Sequence, residues 1–358
     1  MLAGSGKDSA LIPYVLRRLL VLPVIIFLVT IILFALMWQL PIGLRARLYI
    51  PTTNRFLLPD EEAVLVERAI RLHGLDKPWP IQYANWLRAV ATGNWGYSPT
   101  WQQPVLEGLL QRAPATAELV LVSMVPCALL GVGLGALAAR HRGRFPDHAI
   151  RAATFLGWAL PSFILGLMLM NVFYAWLGWL PPERLSVWAG VVIHSGEFRS
   201  YTGLHTVDAL LNLDLRILWD AIRHLILPAI CLAFAEWALL ARIMRSSMLD
   251  VLRQDYVTTA RSKGAPEGQV FSRHVRRNAL LPVISTGGVA VSMLVSGIVV
   301  IESVFNINGV GSAAAEAMSG SDVPVAVGFA VFTCVATVVA SLVADLLYAF
   351  ADPRVRLY

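Results

Sequence analysis

Apolar residues in this chain come in long blocks separated by short charged stretches. Leu19 to Leu44 is a run of 26 residues free of Asp, Glu, Lys and Arg. Leu119 to Ala139 supplies 21, Ala152 to Pro182 31, Ala279 to Ile301 23, and Val323 to Ala344 22. Leu225 to Ala241 is shorter, at 17, and holds one acid, Glu236. A helix needs about 20 apolar residues to cross the ~30 Å hydrocarbon core. Lipid offers no partner to an unpaired backbone N–H or C=O, so each block must be helical. The strict alternation of a membrane barrel is absent. The pattern predicts an all-α fold, a polytopic membrane bundle of six transmembrane helices. Pro126, Pro161, Pro228 and Pro282 are expected to kink their helices. Gly131-x-x-x-Gly135, Ser292-x-x-x-Ser296 and Ala336-x-x-x-Ala340-x-x-x-Ala344 permit close helix approach.

Composition removes the other classes. Apolar residues make up 57% and charged residues 15% of the 358 positions, too little charge for a soluble surface. Three cysteines exclude a disulfide scaffold. The first apolar run is too long for a signal-peptide core and lacks an A-x-A-like cleavage site. With the N-terminus inside, the inner segments hold 17 of the 29 basic residues. Among them are Lys7, Arg17 and Arg18, then Arg140, Arg142, Arg144 and Arg151, and in the tail Arg354 and Arg356. This bias places both termini on the cytoplasmic side. The basic balance therefore reflects topology, and no nucleic-acid partner is expected.

The expected organisation is a cytoplasmic N-terminus and first span over 1–40, an external region over 41–113, a five-helix core over 114–349, and a tail over 350–358. The external region holds an amphipathic helix from Pro59 to Leu72 with acids in its first turn. Trp79, Tyr83, Trp86, Trp95, Tyr97 and Trp101 form either an interfacial anchor or part of a docking surface. A second external segment runs from about Pro181 to Arg223. The inner loop over 242–278 reads as helix, break, helix. Tyr256 to Lys263 is helix-compatible, Gly264 ends it and Pro266 starts the next. Glu267 falls in that second helix's first turn and Arg276 and Arg277 in its last, complementing the dipole.

Catalytic chemistry is missing. The seven histidines are scattered without metal spacing, and no G-x-S-x-G elbow occurs. Gly4-Ser5-Gly6-Lys7-Asp8-Ser9 fails as a phosphate loop, because Asp8 replaces the magnesium-binding hydroxyl and no strand precedes it. No catalytic, cofactor-binding or metal-binding residue is expected. Cys127, Cys231 and Cys334 fall in three different spans, as buried thiols. Glu118, Glu236, Glu302 and Asp345 are the acids at membrane depth or span edges. Glu236, the deepest, packs between helices or lines a polar pathway.

The inner loop resembles a known pattern. Asp255-Tyr256-Val257-Thr258-Thr259-Ala260-Arg261-Ser262-Lys263-Gly264, followed by Arg273-His274-Val275-Arg276-Arg277-Asn278-Ala279-Leu280-Leu281-Pro282, is similar to the EAA-type motif of ABC importer permeases. The nearest likeness is the dipeptide/oligopeptide/nickel branch, first-permease type. The motif's glutamate position is Thr258. The likeness covers nearly the whole chain. It includes Gly74-Leu75-Asp76-Lys77-Pro78, Leu160-Pro161-Ser162-Phe163, Arg245-Ser246-Ser247-Met248 and Glu302-Ser303-Val304-Phe305-Asn306. The segment from Val187 to Asn212 falls outside it, as an insertion of this subgroup.

The resemblance implies a type I ABC importer permease in a bacterial or archaeal cytoplasmic membrane. It implies pairing with a second homologous permease, two cytoplasmic ABC ATPases that use ATP and Mg, and an extracytoplasmic solute-binding protein. Tyr256, Thr258, Thr259, Ala260, Arg261, Lys263, Gly264, Ala265 and Pro266 would couple to an ATPase, within a loop spanning 255–282 that moves as a lever bounded by Gly264 and Pro282. Dipeptides, oligopeptides, nickel chelates, glutathione and some sugars all remain open as substrate. From the residues alone, the alternative is an ion-gradient-driven secondary carrier working through Glu236.

Overall fold

The computed structural model describes residues 11–50, 59–196 and 198–351. The loop Gly4 to Ser9 and the tail arginines lie outside the described residues. So do the side chains of Arg17, Arg18, Ser292, Ser296, Ala344 and Asp345.

The chain opens with α1 (Leu11–Trp38), α2 (Ile42–Arg47), α3 (Pro59–His73) and α4 (Trp79–Ala91). A two-residue hairpin follows, Tyr97–Ser98 paired antiparallel with Gln103–Pro104. Then come α5 (Val105–Arg140), α6 (Phe145–Ala159) and α7 (Ser162–Leu169), the last extended by a π-helical turn, Met170–Trp176. Two short helices, α8 (Val187–His194) and α9 (His205–Leu211), precede the 37-residue α10 (Leu215–Val251). The chain ends with α11 (Asp255–Ser262), α12 (Glu267–Gln269) leading through a second π turn (Val270–Arg276) into α13 (Arg277–Val304), then α14 (Val310–Gly320) and α15 (Val323–Ala351).

Among the described residues, five helices are long and apolar enough to cross a membrane, and a sixth crossing forms if α6 and α7 count as one broken span. The first apolar run is divided, α1 ending at Trp38 and Pro41 standing outside it at the start of a new short helix. The third run bends at Pro161, as expected, and its two halves meet at 104°. Pro161 causes this by holding Leu160 extended, with ψ 119. One expectation needs correction: the second helix of the inner loop does not stop at Arg277. It winds through the π turn straight into α13, past Pro282. Arg276 and Arg277 therefore sit in mid-helix and complement no dipole there.

One unit is built around 117–307. Its spine is α10, and α5 crosses α10 closely. A Cβ on Gly131 would lie 2.6 Å from the Leu240 Cβ, and one on Gly135 would lie 2.6 Å from the Ala241 carbonyl oxygen. A Cβ on Gly133 would meet nothing within 4 Å. Gly135→Leu is therefore expected to abolish the folded, detergent-stable protein, since backbone cannot yield. Gly133→Leu is expected to leave its melting midpoint within the range of ordinary surface changes. Fluorescence-detected size exclusion of both variants checks this, and equal profiles would contradict the close crossing.

The other unit comprises 16–116 and 308–338. Phe34 on α1 is buried among Trp79, Tyr83 and Trp86 of α4, with ring centroids 5.5, 5.5 and 5.6 Å away. Thr30 Oγ1 lies 3.0 Å from the Tyr83 hydroxyl. This part of the external aromatic set is thus committed to packing against a membrane helix. Asp322, 1% exposed, ties the hairpin to α15. It accepts from Ser98 Oγ at 2.6 Å and, as a cap of α15, from the Val325 N–H at 3.2 Å.

Candidate functional site

The inner loop folds into a small, mostly exposed helix on a buried footing. α11 begins after Gln254 and presents Tyr256, Thr258, Thr259 and Arg261 to the outside, while Val257 is fully buried. Val257 joins Met244, Met248, Val270 and Val275 in one apolar cluster. One methyl-bearing side chain thus fastens α11 to α10 and to the helix entering α13. Lys263 and Gly264 are exposed, and Gly264 has φ +81, the left-handed conformation that ends helices cheaply only at glycine. The Ala265 N–H returns to the Ala260 carbonyl at 3.2 Å and closes the turn. Ala260 and Ala265 are half-buried and Pro266 caps α12 from outside. Arg261 reaches across the break to Glu267, Nε donating to Oε1 at 2.7 Å. All nine residues singled out in the sequence thus fall on one short elbow. The separate helical piece is α11 alone, because everything after Pro266 belongs to the long helix that ends at Val304.

Glu236 does not join this site. It is half-buried on α10, about 22 Å along the axis from Val251 at 1.5 Å per residue, and makes no hydrogen bond or ion pair among the described residues.

Two polar centres escaped the sequence reading. Asp147, 1% exposed in the first turn of α6, holds Arg245 of α10 by two hydrogen bonds, Nε to Oδ1 at 2.6 Å and Nη2 to Oδ2 at 2.8 Å. The Gly143 N–H also donates to it at 2.9 Å. The second centre lies in the segment between α7 and α10. Glu118, 3% exposed, accepts from Arg184 Nη2 at 2.6 Å and from the backbone N–H and hydroxyl of Thr206 at 2.7 and 2.8 Å. Asp208, fully buried, gathers the Thr202 and Gly203 N–H groups and the Ser200 and Thr202 hydroxyls. Asp220 holds the N–H and hydroxyl of Ser186. An acid at a span edge, such as Glu118, was the only advance signal. Its partners stand up to 88 positions away.

Charge in this second centre depends on pH. Burial pushes the Asp208 carboxyl up, but its hydrogen bonds from Thr202, Ser200 and Gly203 outweigh that and hold it below the ordinary value. His205 is lowered to about 4, first by burial and then by the Arg184 charge, against the opposing pull of Glu118 and Asp208. His194 adds to the lowering. A histidine held below its unfolded value binds fewer protons in the native state. Its contribution is full above pH ~6.5 and is lost as pH falls towards 4. Amide exchange over 199–211 is therefore expected to accelerate from pH 6.5 down to 4 relative to the rest of the chain. His205→Gln should flatten that profile, and an unchanged profile in the variant would remove His205 as the cause.

Comparison with known proteins gives a consistent result. The family described as binding-protein-dependent transport system inner membrane component matches residues 131–357. A di/tripeptide transport system permease protein of Pseudomonas aeruginosa (strain UCBPP-PA14) is 35% identical over 347 residues, covering 97% of this chain and 99% of its own. An oligopeptide transport system permease protein of Bacillus subtilis (strain 168) is 37% identical, covering 81% and 84%. A glutathione transport system permease protein of Salmonella typhi is 32% identical, covering 96% and 98%.

Proposed function

The chain belongs to the binding-protein-dependent transport system inner membrane components, and from that premise we propose how its residues divide the work. It is a permease subunit of an ATP-driven ABC importer, integral to the inner membrane, and works with a solute-binding protein and ATPase partners. It forms half of the pathway, a second homologous permease forms the other half, and both its termini face the cytoplasm. Two ATPases carry the ATP and Mg, so the membrane chain needs no catalytic residue of its own. Peptides or related small solutes are the cargo, in keeping with what the relatives' names say of those proteins.

The observation that carries this reading is the elbow at α11: an exposed eight-residue helix, ended by a left-handed glycine and rooted by Val257 between two membrane helices. Such a piece fits a groove on a partner and transmits that partner's displacement to α10 and α13 as a rigid body. Tyr256, Thr258, Thr259, Arg261 and Lys263 supply the exposed contacts. Ala260, Gly264, Ala265 and Pro266 shape the turn. Glu236, with no partner of its own among the described residues, lines the polar path.

A mild-detergent pull-down of the tagged chain from its native membranes tests the assembly, with mass spectrometry of what accompanies it. Recovery of a second six-span protein and P-loop ATPases is expected. Recovery of the chain alone, under conditions that keep other transporters intact, would overturn the subunit reading. The co-purifying binding protein then serves to identify the cargo.

A further inference from the structure

Arg45 is a buried cation with no anion beside it among the described residues. It sits on α2 with 8% of its surface exposed. Its Nη1 donates to Gln82 Oε1 at 2.7 Å, and its Nε has no partner. No carboxylate of the described residues forms an ion pair with it. Gln82 cannot supply the missing charge, because its amide nitrogen is fixed by the carbonyls of Leu75 at 2.8 Å and Lys77 at 2.6 Å, and it is neutral. A guanidinium stays protonated in proteins, and a buried charge left uncompensated is strongly unfavourable. A counter-charge from outside the chain is therefore expected.

The surroundings say what kind. Arg45 borders a cavity of about 170 Å³, with Tyr49, His73, Gln82 and Asn85 as its other polar walls and Phe34, Met37 and Trp86 among the apolar ones. That is below the ~300–1,000 Å³ of a site for a drug-sized ligand, so the occupant enters as a small group. The Tyr49 ring stacks on His73 at 3.8 Å. Burial pushes the Tyr49 hydroxyl up to about 12, so it remains protonated and able to donate. Burial also lowers His73, which leaves Arg45 as the charge of the pocket.

The depth of the cavity selects among anions. Phe34 and Met37 belong to the last turns of a membrane-spanning helix, so the cavity lies at the headgroup boundary, at the end of α1 away from the N-terminus. Leu72, which lines the cavity, is 71% exposed, and Leu36, Ile42, Leu44 and Ile81 nearby in the chain are 39 to 58% exposed. A cationic pocket lined by an exposed leucine, on helices that expose further apolar side chains at the end of a membrane-spanning helix, suits acyl chains leading to a phosphate better than an acidic protein partner. We propose that the cavity beside Arg45 is a phosphate site that takes the headgroup of a membrane phospholipid. The phosphate pairs with the Arg45 guanidinium and accepts from the neighbouring Asn85 and Tyr49 donors, while the acyl chains lie along the apolar face of α1 and α3.

The test uses the full chain in its complex, delipidated in detergent, with short-chain phosphatidylglycerol as probe and inorganic phosphate as competitor. Lipid retention is counted by native mass spectrometry, and the melting midpoint is followed as lipid is added. Retention at least tenfold stronger in the wild type than in Arg45→Gln is expected, with Arg45→Lys intermediate. Asn85→Leu, which narrows the cavity and leaves the cation, should also weaken retention, and it keeps the test decisive if Arg45→Gln fails to fold. Equal retention by wild type and variants would overturn the site. Inorganic phosphate reproducing the whole thermal shift at equal concentration would overturn the lipid as its source.

Discussion

Gly264→Trp will leave the chain inserted and assembled but will abolish substrate-dependent ATP hydrolysis and uptake. Two effects combine. The residue has φ +81, which costs a side-chain-bearing residue roughly 1–2 kcal/mol. The indole would also project from an exposed surface, since nothing of the chain lies within 4 Å of a Cβ there. Smaller replacements separate the two. Gly264→Asn tolerates the left-handed backbone and adds little bulk, so it should keep most of the activity. Gly264→Ala carries the strain without the bulk and should fall between them. Deleting Ala260–Gly264 removes the last turn of α11 and should uncouple as completely as tryptophan. Reconstituted complex with its binding protein and cargo gives both readouts. If the tryptophan variant transports normally, α11 is not the element through which the ATPases act.

Asp147→Ala is expected to destabilise the larger unit strongly by removing one half of a buried ion pair. The carboxylate is 1% exposed and is bound bidentately by Arg245, whose side chain is 24% exposed. Removing one member of a buried pair strands the other, at a cost of about 3–5 kcal/mol. The exposure of Arg245 puts the expected value towards the lower end. The loss also frees Gly143, so the connection between α5 and α6 loosens as well. Asp147→Ala with Arg245→Met removes both charges and should recover part of the loss, which a double-mutant cycle measures directly. A midpoint of thermal unfolding in detergent is the readout. Two single variants that simply add in the double would show that the pair contributes little.

Much of the architecture was legible because lipid imposes one rule on every span. Four apolar blocks fell inside α5, α10, α13 and α15, the first filled most of α1 and ran past its end at Trp38, and the amphipathic stretch from Pro59 became α3. The errors arose where a local cue competed with a continuing helix. Arg276 and Arg277 looked like terminal charges, yet basic residues at the edge of a membrane serve the interface as well as a dipole. Pro282 looked like a boundary, yet a proline in a membrane helix is accommodated by its neighbours. The elbow at 255–266 was readable since its determinants are adjacent in sequence: a helix, a glycine and a proline. The bonds of Glu118 to Arg184 and of Arg45 to Gln82 were not, because nothing local announces that residues 66 or 37 positions apart will meet.

The length of α10 has a consequence of its own. Its 37 residues span about 55 Å, well beyond the ~30 Å of hydrocarbon. One continuous rod therefore carries Asp220, with the Ser186 loop it holds, at one end, and Arg245 and the seat of Val257 at the other. Any coupling between what grips one end and what grips the other is symmetrical in free energy. If nucleotide state at the α11 end alters how tightly an external ligand is held, that ligand must alter nucleotide affinity by the same factor. An influence measured in one direction thereby fixes the size of its converse.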